Sequence, residues 1–392
     1  VLRAFAFLLV ALVHFSVPVW TKHIPDKGWI IDTVALGFIH TGWVGVPIFL
    51  FLSGYSLALG KCDPSYDLDK KQFFINRFLR IYPIWIVCIL ILTFNHKISG
   101  QTVFTLLLMQ TQDIPPSTAF NIAWSIQLEW MCYLLFPVLL VAVSTRKYLL
   151  MFFAFFLCVR LFQYWLSAQV VMNWGYSTIF GGGTIFLLGI YTASMGPIRK
   201  LTQARIYTWL GIILLSASVV FIWKSGGYQA PRGRFIHLYF LFMPEILGGT
   251  MFLLMRGVTR RLAEGEEPAR IPGLPGKAIY WAGRGIFRGF VHIGRVSYSA
   301  YMFSLFTLDF TQRFLAFSMH PSGWASLAFA FSLYLVALIT FSTLSFYAIE
   351  MPFLAMRRRY ISPHNPVTPQ RGNQDQRHNQ AQVGRAERTD AG

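Results

Sequence analysis

Apolar side chains gather in long runs along this chain, separated by short polar stretches, and the length of each run decides its reading. A helix needs about 20 apolar residues to cross the hydrocarbon of a bilayer. Such runs fall at roughly 1–20, 43–60, 74–95, 124–143, 148–168, 176–195, 206–223, 236–256, 293–316 and 324–348, and predict about ten transmembrane helices. The brief run Val103–Met109 is too short to cross alone and reads as an interfacial or re-entrant piece. Residues 257–292 read as a basic loop rich in Gly and Pro. The expected fold is therefore an all-α polytopic membrane protein, with a membrane-embedded domain over 1–355 and a basic, polar tail over 356–392. From Pro363 onward almost nothing apolar remains, so the tail reads as disordered.

Composition agrees with this pattern. Of 392 residues, 55% are hydrophobic and only 13% charged, about half the charged share of a soluble protein. The net charge of +18 raises the possibility of a nucleic-acid partner, so the position of the basic residues matters. With the N-terminus placed inside, 26 Lys and Arg fall on inner segments and 7 on outer loops, with Arg160 inside a span. That bias is what the positive-inside rule expects of an even number of spans with both termini cytoplasmic. It assigns the excess charge to membrane-flanking loops and argues against nucleic acid. Cys62, Cys88, Cys132 and Cys158 show neither CxxC nor Cys/His spacing, so neither a disulfide framework nor a metal site is expected. The first apolar run is followed by Thr21 and Lys22 rather than by a small-residue cleavage site, so no cleavable signal peptide is expected.

The candidate chemistry begins in the first run. Arg3 and His14 are eleven positions apart, which on a helix is three turns plus roughly 20°, so both share one face. The rise between them is roughly 16 Å, which puts His14 near the midplane if Arg3 marks a membrane surface. An ionisable residue at that depth faces the protein interior, a water-filled cavity or a substrate path. Two readings stand: a His bonded to a neighbouring helix, or a catalytic His above a cationic clamp.

Other motifs surround this one. Ser53-Gly54-Tyr55 lies in a span whose Gly45, Pro47 and Gly54 permit close backbone approach. Arg77 and Arg80 are three apart at an inner edge, placed either to anchor to lipid head groups or to grip phosphates. Glu129 lies near the outer end of the fourth span, where a carboxylate is either wet and unremarkable or positioned to orient an imidazole or act as a base. Arg160 and Glu245 lie deeper, and mutual pairing is the simplest account of both. Gly181-Gly182-Gly183 and Pro244 are candidate helix breaks.

Six motifs recur in order: Arg3-x10-His14, Ser53-Gly54-Tyr55, Arg77-x-x-Arg80 before Tyr82-Pro83, Trp124-Ser125 through Glu129 to Pro137, Ser297-Tyr-Ser-Ala-Tyr301, and Glu350-x-Pro352. Together they resemble the acyltransferase-3 family of integral membrane acyltransferases. The resemblance implies transfer of an acyl group, acetyl above all, from cytoplasmic acyl-CoA to a hydroxyl of a carbohydrate-containing acceptor such as a surface polysaccharide or lipopolysaccharide. It also implies a multi-pass place in a bacterial cytoplasmic (inner) membrane, among lipids and without a metal. Some members carry an esterase-like domain beyond the membrane. About 40 residues follow the last span here, too few for one, so the stand-alone type is expected.

One position departs from the family. Its Tyr-x-x-Tyr-Leu-x-His pattern reads Tyr298-Ser-Ala-Tyr301-Met-Phe-Ser304, with Ser304 where a His is common. A hydroxyl does not accept a proton near neutral pH as an imidazole does, so the chemistry is expected on His14. In the mechanism the resemblance implies, Arg3, Arg77 and Arg80 hold the donor's phosphates and His14 takes the acceptor's proton or carries the acyl group. Glu129 would fix the imidazole or guide the acceptor, and Ser53 or Tyr55 would donate to the thioester carbonyl. A proton-coupled carrier using the intramembrane His is the alternative, although carriers built from paired halves show matching broken helices and no counterpart is seen in the first half.

Overall fold

The computed structural model describes residues 2–23, 41–59, 66–96, 98–111, 121–144, 146–166, 177–195, 201–224, 234–263, 276–316, 324–358 and 361–363. Helices carry nearly all of it: α1 (Leu2–His23), α2 (Gly45–Ala58), α3 (Lys70–His96), α4 (Gly100–Leu107), α5 (Trp124–Ser144), α6 (Arg146–Leu166), α7 (Ile179–Ser194), α8 (Leu201–Lys224), α9 (Arg234–Ala263), α10 (Gly276–Ala316), α11 (Trp324–Ser345) and α12 (Met351–Ala355). Among the described residues, five segments are long and apolar enough to cross a membrane: Lys70–Asn95, Trp124–Val141, Lys147–Leu166, Tyr239–Gly257 and Ala328–Ala355. The apolar helices Leu2–Phe15, Gly45–Ala58 and Ile179–Ser194 are shorter.

The last of these, α7, lies at the centre. It packs on α2, α5, α6 and α9, while α1 packs on α2 and α10, and α10 on α11. Two glycines let α2 and α7 approach. A Cβ added to Gly54 would lie 2.2 Å from the Phe186 carbonyl oxygen, and one added to Gly189 would lie 2.2 Å from that of Phe51. Lipid tails are as apolar as leucine, so burying apolar surface does little to draw such helices together. Close van der Waals contact between backbones does more, and small residues permit it. Gly45 packs equally closely against the Ala6 carbonyl of α1, with 2.4 Å left for a Cβ. The outward faces carry exposed Leu150, Met151, Phe155, Phe162 and Trp165, the pattern of a lipid-facing surface.

Several expectations change at this level. Gly181–Gly183 and Pro244 do not break their helices, and α7 and α9 run through them. The 257–292 loop shrinks, because α9 continues to Ala263 and α10 begins at Gly276, with 264–275 outside the described residues. The added turns of α10, Gly276 to Val291, mix aromatic and basic residues in a way that suits a membrane interface. The Val103–Met109 run forms α4, capped by the Ser99 side chain on Thr102 N–H and held by Trp85 Nε1 donating to Leu106 O at 2.8 Å.

The chain after α12 also stays engaged. β2 (Ile361–Pro363) pairs antiparallel with β1 (Tyr66–Leu68), and Asn76 holds Arg358 by two bonds, donating to its carbonyl at 2.7 Å and accepting from its N–H at 3.2 Å. Contacts of the helical body thus run past 355, while 364–392 lies outside the described residues.

Candidate active site

Five helices deliver polar side chains to one pocket of about 510 Å³. Arg3 comes from α1, Ser53 from α2, Arg80 from α3 and Glu129 from α5, and α10 adds Ser297, Tyr298 and Tyr301. Its apolar walls come from Val46, Phe49, Leu50 and Ile126.

A continuous bonded chain runs through the pocket. Arg3 Nη2 donates to Ser56 Oγ at 3.1 Å, and Ser56 Oγ donates to the Ser53 carbonyl at 3.3 Å. Ser53 Oγ donates to Glu129 Oε1 at 2.7 Å, and Tyr133 OH donates to the same oxygen. The Tyr133 ring also carries Arg77, whose Cζ lies 5.5 Å from the centroids of both Tyr133 and Phe73. Glu129 is thus a carboxylate set among cations, with Arg80 and Arg3 both within electrostatic reach.

The position of Glu129 is a correction. The sequence suggests a carboxylate near the outer end of its span, yet Glu129 shares this pocket with Arg3 and Arg80, the residues assigned to the inner edge. A pocket of this size does not reach from one membrane face to the other. The helix begins inside the bundle, entering through a 3-10 turn, Asn121–Ala123, whose Ile122 carbonyl accepts from Tyr301 OH at 3.2 Å and lies 3.1 Å from Ser125 Oγ.

The remaining expected residues fall into two groups. His14 does not line the pocket but stands one ring behind it, 6.3 Å from the Tyr301 ring, with Nδ1 3.3 Å from Ser304 Oγ. Arg77 and Tyr55 are not brought in. Arg77 is 7% exposed and wedged between aromatic rings, although its charge is felt at Arg3. Tyr55 follows Ser53 by two positions, which on a helix points it to the other side, towards Arg256.

Residues without an expected role complete the site. Tyr298 and Tyr301, three apart on one face of α10, both reach the pocket wall. Tyr298 OH donates to the Ile81 carbonyl at 3.0 Å, and Ser125 Oγ donates to Tyr301 OH at 2.7 Å. In the sequence they stand out by this spacing and by their place in the Ser297-to-Tyr301 motif. Away from the pocket, Arg160 and Glu245 form an ion pair between α6 and α9. Ser299 Oγ donates to the buried Glu350 carboxylate, which lies in a π turn (Phe346–Glu350) and within electrostatic reach of Arg80. Among the described residues, no three His, Cys, Asp or Glu side chains gather in a way that could hold a metal ion.

The fold and the site define a helical protein of membrane character, with a pocket that combines two cations, one carboxylate and several hydroxyls. An acyltransferase-3 domain, described as an acyltransferase domain, matches residues 1–351, so the chain belongs to that family. The chain is also similar to a protein of Acidianus two-tailed virus that is named as an acetyltransferase, ORF330, at 28% identity over 155 residues. That match covers 38% of this chain and 42% of the viral protein's length. No solved structure matches the chain.

Proposed function

We propose that the protein is an integral membrane O-acyltransferase that moves an acetyl group from cytoplasmic acetyl-CoA to a hydroxyl of a carbohydrate-containing acceptor, a surface polysaccharide or lipopolysaccharide. It works in a bacterial inner membrane, with about ten spans and both termini cytoplasmic, as the run lengths and basic-residue bias suggest. The observation that carries this reading is the convergence of Arg3, Arg80, Ser53 and Glu129 on one pocket with His14 one ring behind.

Arg3 and Arg80 present guanidiniums suited to the donor's phosphates, with Arg77 adding charge from behind Tyr133. The pantetheine arm follows α1 from Arg3 towards His14. The acceptor's hydroxyl oxygen attacks the thioester carbonyl carbon while His14 takes the hydroxyl proton, and the tetrahedral oxyanion collapses as the C–S bond breaks. His14 then returns its proton to the departing CoA thiolate. Ser53, Tyr298 and Tyr301 already give their protons to Glu129 and to the Ile81 and Ile122 carbonyls, so a role at the oxyanion requires one of them to turn from that partner. Glu129 offsets the arginine charge and, through Ser53, ties α5 to α2.

Deleting the gene and comparing the acetyl content of surface polysaccharides and lipopolysaccharide by mass spectrometry tests this reading. Loss of a defined O-acetyl group, restored by the parent gene and not by His14→Gln, is the expected result. An unchanged acetyl inventory overturns it.

A further inference from the structure

The structure puts Ser304 against His14, 290 positions away in the sequence, with Oγ 3.3 Å from Nδ1. Resting on the reading of His14 as the base, we infer that Ser304 is a positioning residue that fixes the His14 tautomer, holding the proton on Nδ1 and leaving Nε2 as the proton acceptor.

The direction of the hydrogen bonds carries this. A serine hydroxyl has one proton and two lone pairs. Ser304 Oγ gives its proton to the Tyr301 carbonyl, 2.8 Å away and one turn back on α10. Towards His14 Nδ1, at 3.3 Å, the same oxygen can therefore only accept. An imidazole that donates from Nδ1 keeps its lone pair on Nε2, and the bond made by one ring nitrogen decides the state of the other.

The surroundings hold Ser304 in place. Its side chain is fully buried, and its carbonyl accepts from Tyr334 OH of α11 at 3.2 Å. Glu129 gives its Oε1 to Ser53 and Tyr133, while the group at His14 Nδ1 is Ser304. The role expected of a carboxylate thus falls to a hydroxyl. A serine orients the ring without adding a second titrating group beside it, which a histidine at 304 would do.

The test uses the full chain in nanodiscs with ¹⁵N-labelled histidine, the His14 signals being identified by their loss in His14→Gln. The parent spectrum should show a protonated Nδ1 and an unprotonated Nε2. Ser304→Ala should move the tautomer ratio towards Nε2–H by about 2- to 12-fold, the worth of one hydrogen bond. It should slow acetyl transfer from acetyl-CoA to a polysaccharide and lipopolysaccharide mixture by a similar factor, and Ser304→Thr should restore both. A parent spectrum with the proton on Nε2, or a Ser304→Ala protein with unchanged ratio and rate, overturns the assignment to Ser304 while His14 keeps its role. A fully active His14→Gln protein overturns the role of His14 itself, and the positioning role falls with it.

Discussion

Ser53 Oγ donates a 2.7 Å hydrogen bond to Glu129 Oε1, joining α2 to α5 across 76 positions of sequence. Ser53 is 5% exposed, so water does not replace the bond when it is lost. Hydrogen bonds to charged groups contribute about 1.5–3 kcal/mol, so Ser53→Ala should lower the acetyl-transfer rate by roughly tenfold or more. Tyr133 still holds Glu129, so the protein should still fold, with a melting temperature lowered by loss of the α2–α5 bond. Initial rates in nanodiscs check this, and an unchanged rate would remove Ser53 and Glu129 from the site.

Arg80 and Arg77 should separate under the same substitution. Arg80 lines the pocket, and Arg80→Ala should raise KM for acetyl-CoA by roughly tenfold or more, the worth of one charge-assisted bond to phosphate. Arg77 packs between Phe73 and Tyr133, and cation–π contacts of this kind contribute about 0.5–2 kcal/mol. Arg77→Ala should therefore lower the melting temperature first and KM less. Steady-state kinetics with thermal unfolding of both variants distinguish the two, and a reversed pattern would exchange their roles.

His14→Gln keeps a similar size and some hydrogen-bonding capacity but cannot accept the hydroxyl's proton. Loss of general-base catalysis should reduce the rate roughly 100- to 10,000-fold with insertion and folding retained. A merely structural histidine would behave otherwise, because hydrogen bonds between membrane helices are typically worth about 0.6–2 kcal/mol and glutamine replaces part of one. Transfer by the purified variant within a few-fold of the parent would refute the mechanism.

The glycine contacts between α2 and α7 predict a different kind of failure. Gly54→Ala and Gly189→Ala each set a methyl group 2.2 Å from a backbone oxygen of the facing helix, which no side-chain rotation relieves. Overpacking of this kind costs about 1–3 kcal/mol, and both variants should show lower thermal stability and yield. Gly54 adjoins Ser53, so its variant should also slow transfer. Gly100, with nothing within 4 Å of an added Cβ, should tolerate alanine and serves as the control.

The sequence by itself determined the helical, membrane character of the chain, because run length and burial of backbone polar groups in lipid depend on local composition alone. It also determined the shared face of Arg3 and His14, since helical periodicity is local, and it marked Arg80, Ser53 and Glu129 by residue type and motif. Depth and partnership were decided only by the tertiary structure. Glu129 belongs beside Arg3 and Arg80 because α5 starts inside the bundle, and no pattern within the fourth run records where a neighbouring helix begins. Arg77 and Arg80 look alike in the sequence, yet one meets two rings and the other a pocket. Ser304 in sequence is only a missing histidine, and what makes it a partner of His14 is the packing of α1 on α10, a contact between segments almost 300 positions apart. Such contacts depend on how helix faces match in three dimensions, and that is information no single segment carries.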